Sequence, residues 1–247
     1  ASANGDSISS GNPVIQFVPG SLDHFLVESA TGGSIPQQTA GQSFDIRITA
    51  LDANTNTVTG FTGTVDLTSS ATISSGGGTS PSFTDGVLAN QTLIITSAGD
   101  YTITATNSAG NQAGQSNFFT VIPAGASALN SPITTARSFL QNNGADTTTV
   151  TVQLKDIYGN NLITGGDVVT LNNTAGSLVN AGATVDQGDG TYTDRLVSST
   201  NIETAIITGT VNGDSIADQA RVEITKFNEW TSGGGGPNAS DWELAGN

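Results

Sequence analysis

The sequence predicts an all-β chain made of two tandem β-sandwich domains, with an extra N-terminal strand and a glycine-rich C-terminal tail. Three observations support this: short stretches that alternate apolar and polar residues, frequent turn signals between them, and a long internal repeat. The composition agrees, because 31 glycines and many Ser, Thr and Asn residues favour short strands and turns over helices.

The internal repeat has a step of 104 residues. "ITALDANTNTVTGFTGTVDLTSS" in the first copy matches "VQLKDIYGNNLITGGDVVTLNNT" in the second. The matched pairs are Asp52 and Asp156, Asn56 and Asn160, Val58 and Leu162, Val65 and Val169, and Leu67 and Leu171. A step near 100 residues is typical of tandem sandwich modules and too long for a solenoid repeat.

Period-2 alternation predicts half-buried antiparallel strands in both copies. In "FDIRITALD" one face carries Phe44, Ile46, Ile48 and Ala50, and the other carries Asp45, Arg47 and Thr49. In "TVTVQLKD" the inward residues are Val150, Val152 and Leu154, and the outward residues are Thr151, Gln153 and Lys155. Each copy has about seven such stretches, the number expected for an immunoglobulin-like sandwich.

We place the first sandwich at 20–122 and the second at 123–226, with a leader at 1–19 and a tail at 227–247. The leader contains a short apolar stretch that matches the predicted closing strand of the first sandwich. The matched residues are Val14, Ile15, Phe17 and Val18 with Phe118, Phe119, Val121 and Ile122. This stretch has three readings: a leftover of a longer array, an edge strand folded back on the first sandwich, or a strand donated to another subunit.

The composition excludes several classes of protein. The chain has 21 acidic and 6 basic residues and a net charge of −15, which disfavours binding to nucleic acid and to anionic membranes. It has no cysteine, so disulfides and thiol chemistry are excluded, and no apolar run is long enough to span a membrane. The absence of methionine and the start "ASA" predict export to the cell surface after cleavage of a signal peptide, and the alternative is a sequence trimmed from a longer chain.

Several stretches resemble a known family. "SLDHFLVESATGGSIPQQTAGQSFDIRITALDANTNTVTGFTGTVDLTSS" and "SAGDYTITATNSAGNQAGQSNFFTV" resemble the tandem immunoglobulin-like repeats of large bacterial and archaeal surface proteins. "GADTTTVTVQLKDIYGNNL" with "DQGDGTYT" is similar to the invasin/intimin type of bacterial immunoglobulin-like domain. The resemblance covers about 20–226 and implies export, a structural or adhesive role, and no enzymatic activity.

Catalytic chemistry has little support in the sequence. His24 is the only histidine and lies in a predicted strand without a serine nucleophile motif, so neither a hydrolase triad nor a zinc site is expected. Paired carboxylates for sugar hydrolysis are a weaker alternative, because aromatic residues that could line a sugar cleft are few.

Calcium is the best cofactor candidate, and the alternative is no cofactor. Turns rich in Asp and Asn place oxygen ligands at odd spacing, although the rest of an EF-hand loop is missing. The candidate ligands are Asp52, Asn54, Asn56, Asp156, Asn160, Asp186 and Asp189. These residues would equally stabilise turns by binding their own backbone.

Three further features concern single residues. Tyr101 stands where a tyrosine corner ties a strand end through its hydroxyl. Lys155 is expected to be a solvated strand residue and not part of an isopeptide bond. Glycosylation sequons occur at Asn90, Asn172 and Asn238, and they predict surface positions if the source organism glycosylates them.

The function favoured by the sequence is a non-enzymatic extracellular subunit of a filament that assembles head to tail by strand addition. The predicted interface residues are Val14, Ile15, Phe17, Val18, Trp230 and Trp242. The alternative is a stalk or binding module of a large surface adhesin; a carbohydrate-binding module is less favoured. The corresponding partners are another copy of the chain, neighbouring immunoglobulin-like modules, or a host or matrix ligand.

Overall fold

The computed structural model describes residues 18–226 and two short antiparallel strands near the start, β1 (Ser2–Ala3) and β2 (Asp6–Ser7). The described residues contain strands and turns and no helix, which confirms the all-β prediction. The chain divides into two compact units between Ala124 and Gly125. Residues 13–17 of the predicted N-terminal strand and the predicted tail at 227–247 lie outside the described residues.

Domain 1 is a sandwich of two layers. Its strands are β3 (His24–Ser29), β4 (Gln38–Thr39), β5 (Ser43–Leu51), β6 (Val65–Ser69), β7 (Ile73–Ser75), β8 (Gly78–Thr79), β9 (Val87–Ile95), β10 (Gly99–Tyr101), β11 (Ile103–Asn107), β12 (Ala113–Gln115) and β13 (Phe119–Ile122). One layer has the order β3-β5-β9-β7. The other has the order β12-β11-β6-β8 and continues through the set β10-β13-β4.

Domain 2 repeats this plan. Its strands are β14 (Ile133–Thr135), β15 (Phe139–Gln141), β16 (Thr147–Gln153), β17 (Val169–Asn173), β18 (Ser177–Leu178), β19 (Val185–Asp186), β20 (Thr191–Val197), β21 (Glu203–Val211), β22 (Asp214–Ser215) and β23 (Ala220–Thr225). One layer has the order β14-β16-β20-β18, with β19 also beside β20. The other has the order β15-β23-β21-β17, with β22 forming a hairpin with β21.

The predicted alternation places the cores correctly. Ile46, Ile48 and Ala50 are buried in domain 1, as are Val150, Val152 and Leu154 in domain 2. Each core is a single apolar cluster between the two layers, and its burial supplies the main stabilisation of a disulfide-free domain.

One residue of the alternation was assigned wrongly. Thr49 was predicted to face solvent, but only 4% of it is exposed. Its strand neighbours in register are Leu26 on β3 and Val87 on β9. These two apolar side chains flank Thr49 on the outer face of the sheet. Thr49 is therefore shielded from solvent although it does not point into the core.

The repeat extends to individual hydrogen bonds. The Val58 N–H donates to the Ala50 carbonyl at 2.9 Å, and the Leu162 N–H donates to the Leu154 carbonyl at 2.9 Å. All four positions are related by the 104-residue step. Because both copies have this bond, the turn after β5 and the turn after β16 share one geometry.

Each of these turns packs against a glycine of a second turn, Gly86 in domain 1 and Gly190 in domain 2. Gly86 and Gly190 have φ angles of 76° and 84°, a region that residues with a Cβ rarely adopt. A Cβ on Gly86 would lie 2.4 Å from the Val58 carbonyl oxygen, and one on Gly190 would lie 2.2 Å from that of Leu162. Both turns therefore require glycine.

The first strand of each sandwich changes layer and closes one lateral edge. In domain 1, β3 pairs with β5 in one layer, and β4 then pairs in parallel with β13 in the other. In domain 2, β14 pairs with β16, and β15 pairs in parallel with β23. A strand shared by both layers covers backbone groups that would otherwise form an open edge.

The opposite edge is closed in a similar way. In domain 1, β7 pairs with β9 and β8 pairs with β6, so a short segment again links the layers. In domain 2, β18 and β19 pair with β20, while the Leu171 N–H of β17 donates to the Gly182 carbonyl at 2.7 Å. Short segments therefore cover part of this edge in both domains, while β3 and β14 each pair with one neighbour at the end of their sheet.

Different side chains hold the layer switch in the two domains. In domain 1, the Asn117 side chain accepts from the Ile35 N–H at 2.7 Å and donates to the Ile35 carbonyl at 3.0 Å. In domain 2, Asp146 accepts from both terminal nitrogens of Arg137 at 2.6 and 3.0 Å, and also from the Gln141 and Thr147 N–H groups. The Arg137 guanidinium is the main reason that the pKa of Asp146 is below its usual range.

We expect Asp146→Ala to destabilise domain 2 more than Arg137→Ala does. The first change removes the acceptor of two backbone N–H groups as well as the ion pair, and should cost about 1–2 kcal/mol. The second removes the ion pair and a 3.3 Å bond from Arg137 to the Thr147 carbonyl, and its effect should be small because Arg137 is half exposed. Urea unfolding of both variants measures the difference; equal losses would mean that the ion pair, and not backbone capping, is the important contact.

Candidate functional sites

The Asp52 carboxylate organises the turn that follows β5, next to the start of β3. Only 3% of the residue is exposed. Its Oδ1 accepts from the Asn54 and Asn56 N–H groups, both at 2.9 Å, and its Oδ2 accepts from the Gly20 N–H at 2.7 Å. The Asn56 side-chain amide donates to both oxygens. Asp52 therefore binds the chain that enters the domain to the turn after β5.

These donors lower the pKa of Asp52 to about 2, from an ordinary value of 3.8. The Gly20 N–H contributes most, followed by the Asn56 side chain and the Asn56 N–H, because each favours the ionised carboxylate. Burial acts in the opposite direction and is outweighed.

Asp156 builds the matching turn in domain 2. It is fully buried, and its Oδ1 accepts from the Tyr158 and Asn160 N–H groups, both at 2.9 Å. Its Oδ2 accepts from the Asn160 side-chain amide at 2.7 Å. The two matched aspartates therefore have the same local role of closing an Asx-type turn.

Asp186 and Asp189 lie in a second turn region of domain 2. Asp186 accepts from the Gly166 and Gly188 N–H groups, both at 2.8 Å. Asp189 accepts from the Thr191 hydroxyl at 2.5 Å and the Thr191 N–H at 3.0 Å, and these bonds lower its pKa. Both carboxylates thus accept hydrogen bonds from the loop that they stabilise.

Within the described ranges, no group of three or more His, Asp or Glu side chains could hold a metal ion. The predicted calcium ligands are divided among three turn regions, and each named carboxylate already accepts hydrogen bonds from protein donors. Calcium binding stays a prediction, and the observed role of these residues is to shape turns.

His24 stands at the start of β3, and its Nδ1 lies 3.0 Å from the adjacent Asp23 carboxylate. Both side chains are exposed. Since this pair has no hydroxyl partner among the hydrogen bonds of the described residues, it does not form a nucleophile–base arrangement.

Of the predicted interface residues, only Val18 is described, and 74% of it is exposed. The other five lie outside the described residues: Val14, Ile15, Phe17, Trp230 and Trp242. The matching segment at the end of domain 1 forms β13, where Phe119 and Val121 are buried and Phe118 is 78% exposed.

Two of the three glycosylation sequons can be placed. Asn90 lies on β9 and Asn172 on β17, and both are exposed. Asn238 lies outside the described residues. Glycosylation at Asn90 and Asn172 stays a prediction.

The tyrosine prediction is confirmed. The Tyr101 hydroxyl donates to the Ala98 carbonyl at 3.0 Å and ties β10 to the turn before it. Sequence reasoning missed a related contact in domain 2, where the buried Tyr192 hydroxyl accepts from the Asp167 N–H at 2.9 Å.

Sequence reasoning also missed three Asp–Thr pairs on the faces of domain 1. Asp45 lies opposite Thr92 in the strand register, Asp66 opposite Thr79, and Asp100 opposite Thr120. In each pair the threonine hydroxyl donates to the carboxylate, at 2.5, 2.7 and 2.6 Å respectively. Their signal in the sequence is only a polar residue on each of two strands, and the strand register is needed to bring them together.

Residues 127–227 match the family model described as Invasin, domain 3. Of the solved structures, FdeC, an adhesin of Escherichia coli, is similar with a TM-score of 0.53 and 22% identity over 85% of this chain and 66% of that chain. The predicted resemblance to bacterial immunoglobulin-like surface domains is therefore confirmed, and so is the tandem sandwich fold.

Two further similar structures have TM-scores below that of FdeC. Invasin, a bacterial integrin-binding protein, matches with a TM-score of 0.41 and 22% identity over 82% of this chain and 39% of that chain. InvD of Yersinia pseudotuberculosis matches with a TM-score of 0.42 and 20% identity over 87% of this chain and 60% of that chain. No curated protein sequence matches the chain. The part of the chain described by the structure has no helix long and apolar enough to cross a bilayer.

The Asp52 contacts should make domain 1 sensitive to acid. Because the folded pKa is about 2 and the ordinary value is 3.8, the contribution of Asp52 to stability is complete above about pH 4 and is lost as the pH falls toward about 2. Asp52→Asn should remove this part of the pH dependence. The measurement is hydrogen exchange of β5 and β9 at about pH 5 and about pH 2.5, in which the wild-type protein should lose protection at the lower pH.

Asp85→Asn is a suitable control, because Asp85 is an exposed turn residue of the same domain. This control should keep the wild-type loss of protection in acid. An unchanged acid response in Asp52→Asn would refute the role of Asp52.

Proposed function

We propose that the chain is a pair of immunoglobulin-like stalk modules of a bacterial surface adhesin, with a mechanical and non-enzymatic role outside the cell. The match of residues 127–227 to the invasin family model supports the class of protein. The surface location and the absence of catalysis are part of this proposal. They are supported by the adhesin-like fold and by the turn-forming role of the acidic residues.

The observation that carries the proposal is the parallel pairing of entry and closing strands. In domain 2, β15 pairs with β23 through Phe139 with Glu223, Leu140 with Ile224, and Gln141 with Thr225. In domain 1, the parallel pair of β4 and β13 joins Gln38 with Val121 and Thr39 with Ile122.

Parallel pairing determines how tension acts on each domain. Force applied at the two ends of a domain pulls its entry strand and its closing strand in opposite directions along a shared ladder. The hydrogen bonds are therefore loaded together in shear and not opened one after another. This geometry suits a module that transmits force between a cell and a surface.

The bond from the Asn142 N–H to the Thr225 carbonyl, at 3.0 Å, continues the domain 2 ladder. Asn142→Pro removes this donor, and we expect it to lower the force at which domain 2 unfolds. Single-molecule pulling of the full chain measures this force. Each unfolding event should extend the chain by about 350 Å for a ~100-residue domain at about 3.3–3.6 Å per residue.

Gln187→Pro is the matched control. It removes a backbone bond of the same 3.0 Å length, from the Gln187 N–H to the Thr191 carbonyl, in a turn outside the loaded ladder. This variant should keep the wild-type unfolding force even if its equilibrium stability falls. Equal force losses in the two variants would contradict the shear assignment.

Assembly into a filament by strand addition is the second candidate. It is supported by the likeness of Val14–Val18 to Phe118–Ile122, whose residues 119–122 form the closing strand β13. In domain 1, β13 lies between β10 and β4. A donated strand of this type would need a comparable slot, and each domain fills its own slot with β13 or β23. Strand addition would therefore require displacement of a strand or a new pairing outside the sandwich.

Electron microscopy of the purified full chain and of a version lacking residues 1–19 separates the two candidates. We expect separate particles from both, in agreement with a stalk module. Long regular fibres from the full chain that disappear in the truncated version would replace the stalk proposal with the filament.

A further inference from the structure

Domain 1 has an unusual balance of charge. Residues 20–122 contain seven acidic residues, a single arginine, Arg47, and no lysine. Among its described residues, the only contact between a basic and an acidic side chain joins the chain neighbours His24 and Asp23, and it is an ion pair only when the histidine is protonated. Ion pairs across its sheets therefore contribute little to its stability, while repulsion between carboxylates opposes folding.

The three Asp–Thr pairs show how the domain accommodates carboxylates on its sheet faces. A basic residue opposite an acid is one of the favourable cross-strand pairs in antiparallel sheets. At Asp45, Asp66 and Asp100 a threonine takes that position and donates a short hydrogen bond. The three pairs are spread over three sets of strands, β5 with β9, β6 with β8, and β10 with β13.

Hydrogen bonds and ion pairs respond differently to salt. Attraction or repulsion between exposed charges is screened as the Debye length falls, from about 30 Å at about 0.01 M salt to about 3 Å at about 1 M. A hydroxyl–carboxylate hydrogen bond acts at contact distance and is not screened in this way. In domain 1, salt therefore removes a repulsion and leaves the cross-strand attraction intact.

We propose that domain 1 is adapted to high ionic strength, with Asp–Thr pairs in place of cross-strand ion pairs, so that its stability rises with salt concentration. Domain 2 combines both kinds of contact: residues 123–226 contain ten acidic and five basic residues, and they form two arginine–carboxylate ion pairs. This salt response is independent of a stalk or filament role, since it depends only on the charges and contacts within domain 1.

The test is hydrogen exchange of β5 and β9 in the full chain, measured in potassium chloride at about 0.01 M and about 1 M. We expect several-fold stronger protection at high salt in the wild-type protein. Chloride is used instead of sulfate because excluded salts such as sulfate strengthen apolar burial in any protein.

Two triple variants at the same positions separate charge from hydrogen bonding. Asp45→Asn, Asp66→Asn and Asp100→Asn together remove the charges and keep an oxygen acceptor for each threonine. This variant should be more protected than wild type at low salt and should lose most of the salt response.

The matched variant combines Thr92→Val, Thr79→Val and Thr120→Val, which keeps the charges and removes the donors. It should be less protected at every salt concentration and keep the wild-type response to salt. A flat or falling response in wild type would overturn the proposal. So would an undiminished response in the asparagine variant, because the salt effect would then arise from apolar burial and not from these carboxylates.

Discussion

The parallel contact between the entry strand and the closing strand is the constraint on which each domain depends. Because β4 must reach β13, and β15 must reach β23, the first strand of each domain has to leave its antiparallel partner and cross to the other layer. That crossing covers a lateral edge of the sandwich. Where it occurs, the backbone groups released from one ladder need new partners.

The two domains supply those partners with unrelated side chains. Asn117 takes both roles toward Ile35 in domain 1, donating and accepting as a neighbouring strand would. Asp146 accepts from two N–H groups in domain 2 and is held in position by Arg137. The topology is thus kept by the repeat, while the chemistry that stabilises the switch differs between copies.

The sequence allowed prediction of features that depend on local pattern. The 104-residue step located the Asp52 and Asp156 turns, because a turn needs particular residues at fixed spacing. Alternation identified the inward residues of β5 and β16, since a strand has a fixed period of two. Tyr101 was placed correctly for the same reason: its partner, Ala98, is three residues away.

Features that depend on strand register could not be predicted. Thr49 was assigned to solvent because alternation does not show that Leu26 and Val87 will flank it. Asp45 and Thr92 are 47 residues apart, and nothing local to either indicates that they face each other. The calcium hypothesis, which stays a prediction, depends on contacts of this kind, because a row of Asp and Asn residues does not reveal which N–H groups will donate to their oxygens.

Those acceptor contacts explain how such an acidic chain can fold without many bases. Asp52 and Asp156 receive hydrogen bonds from the backbone and from Asn side chains inside turns, where the carboxylates are buried. Asp45 and Asp100 receive them from threonines on exposed sheet faces. In both settings the donor is neutral. The hydrogen bonds therefore stabilise each carboxylate without reducing the negative net charge of the chain.

A charge that is stabilised but not neutralised has consequences beyond each domain. It keeps the surface of the chain strongly negative, and this opposes non-specific association between copies at low ionic strength. The parallel contacts of β4 with β13 and of β15 with β23 act in the same direction, because they fill positions at which a strand of a neighbouring copy could otherwise pair. Both properties favour modules that stay separate under tension, and a fibre built by strand addition would have to overcome both.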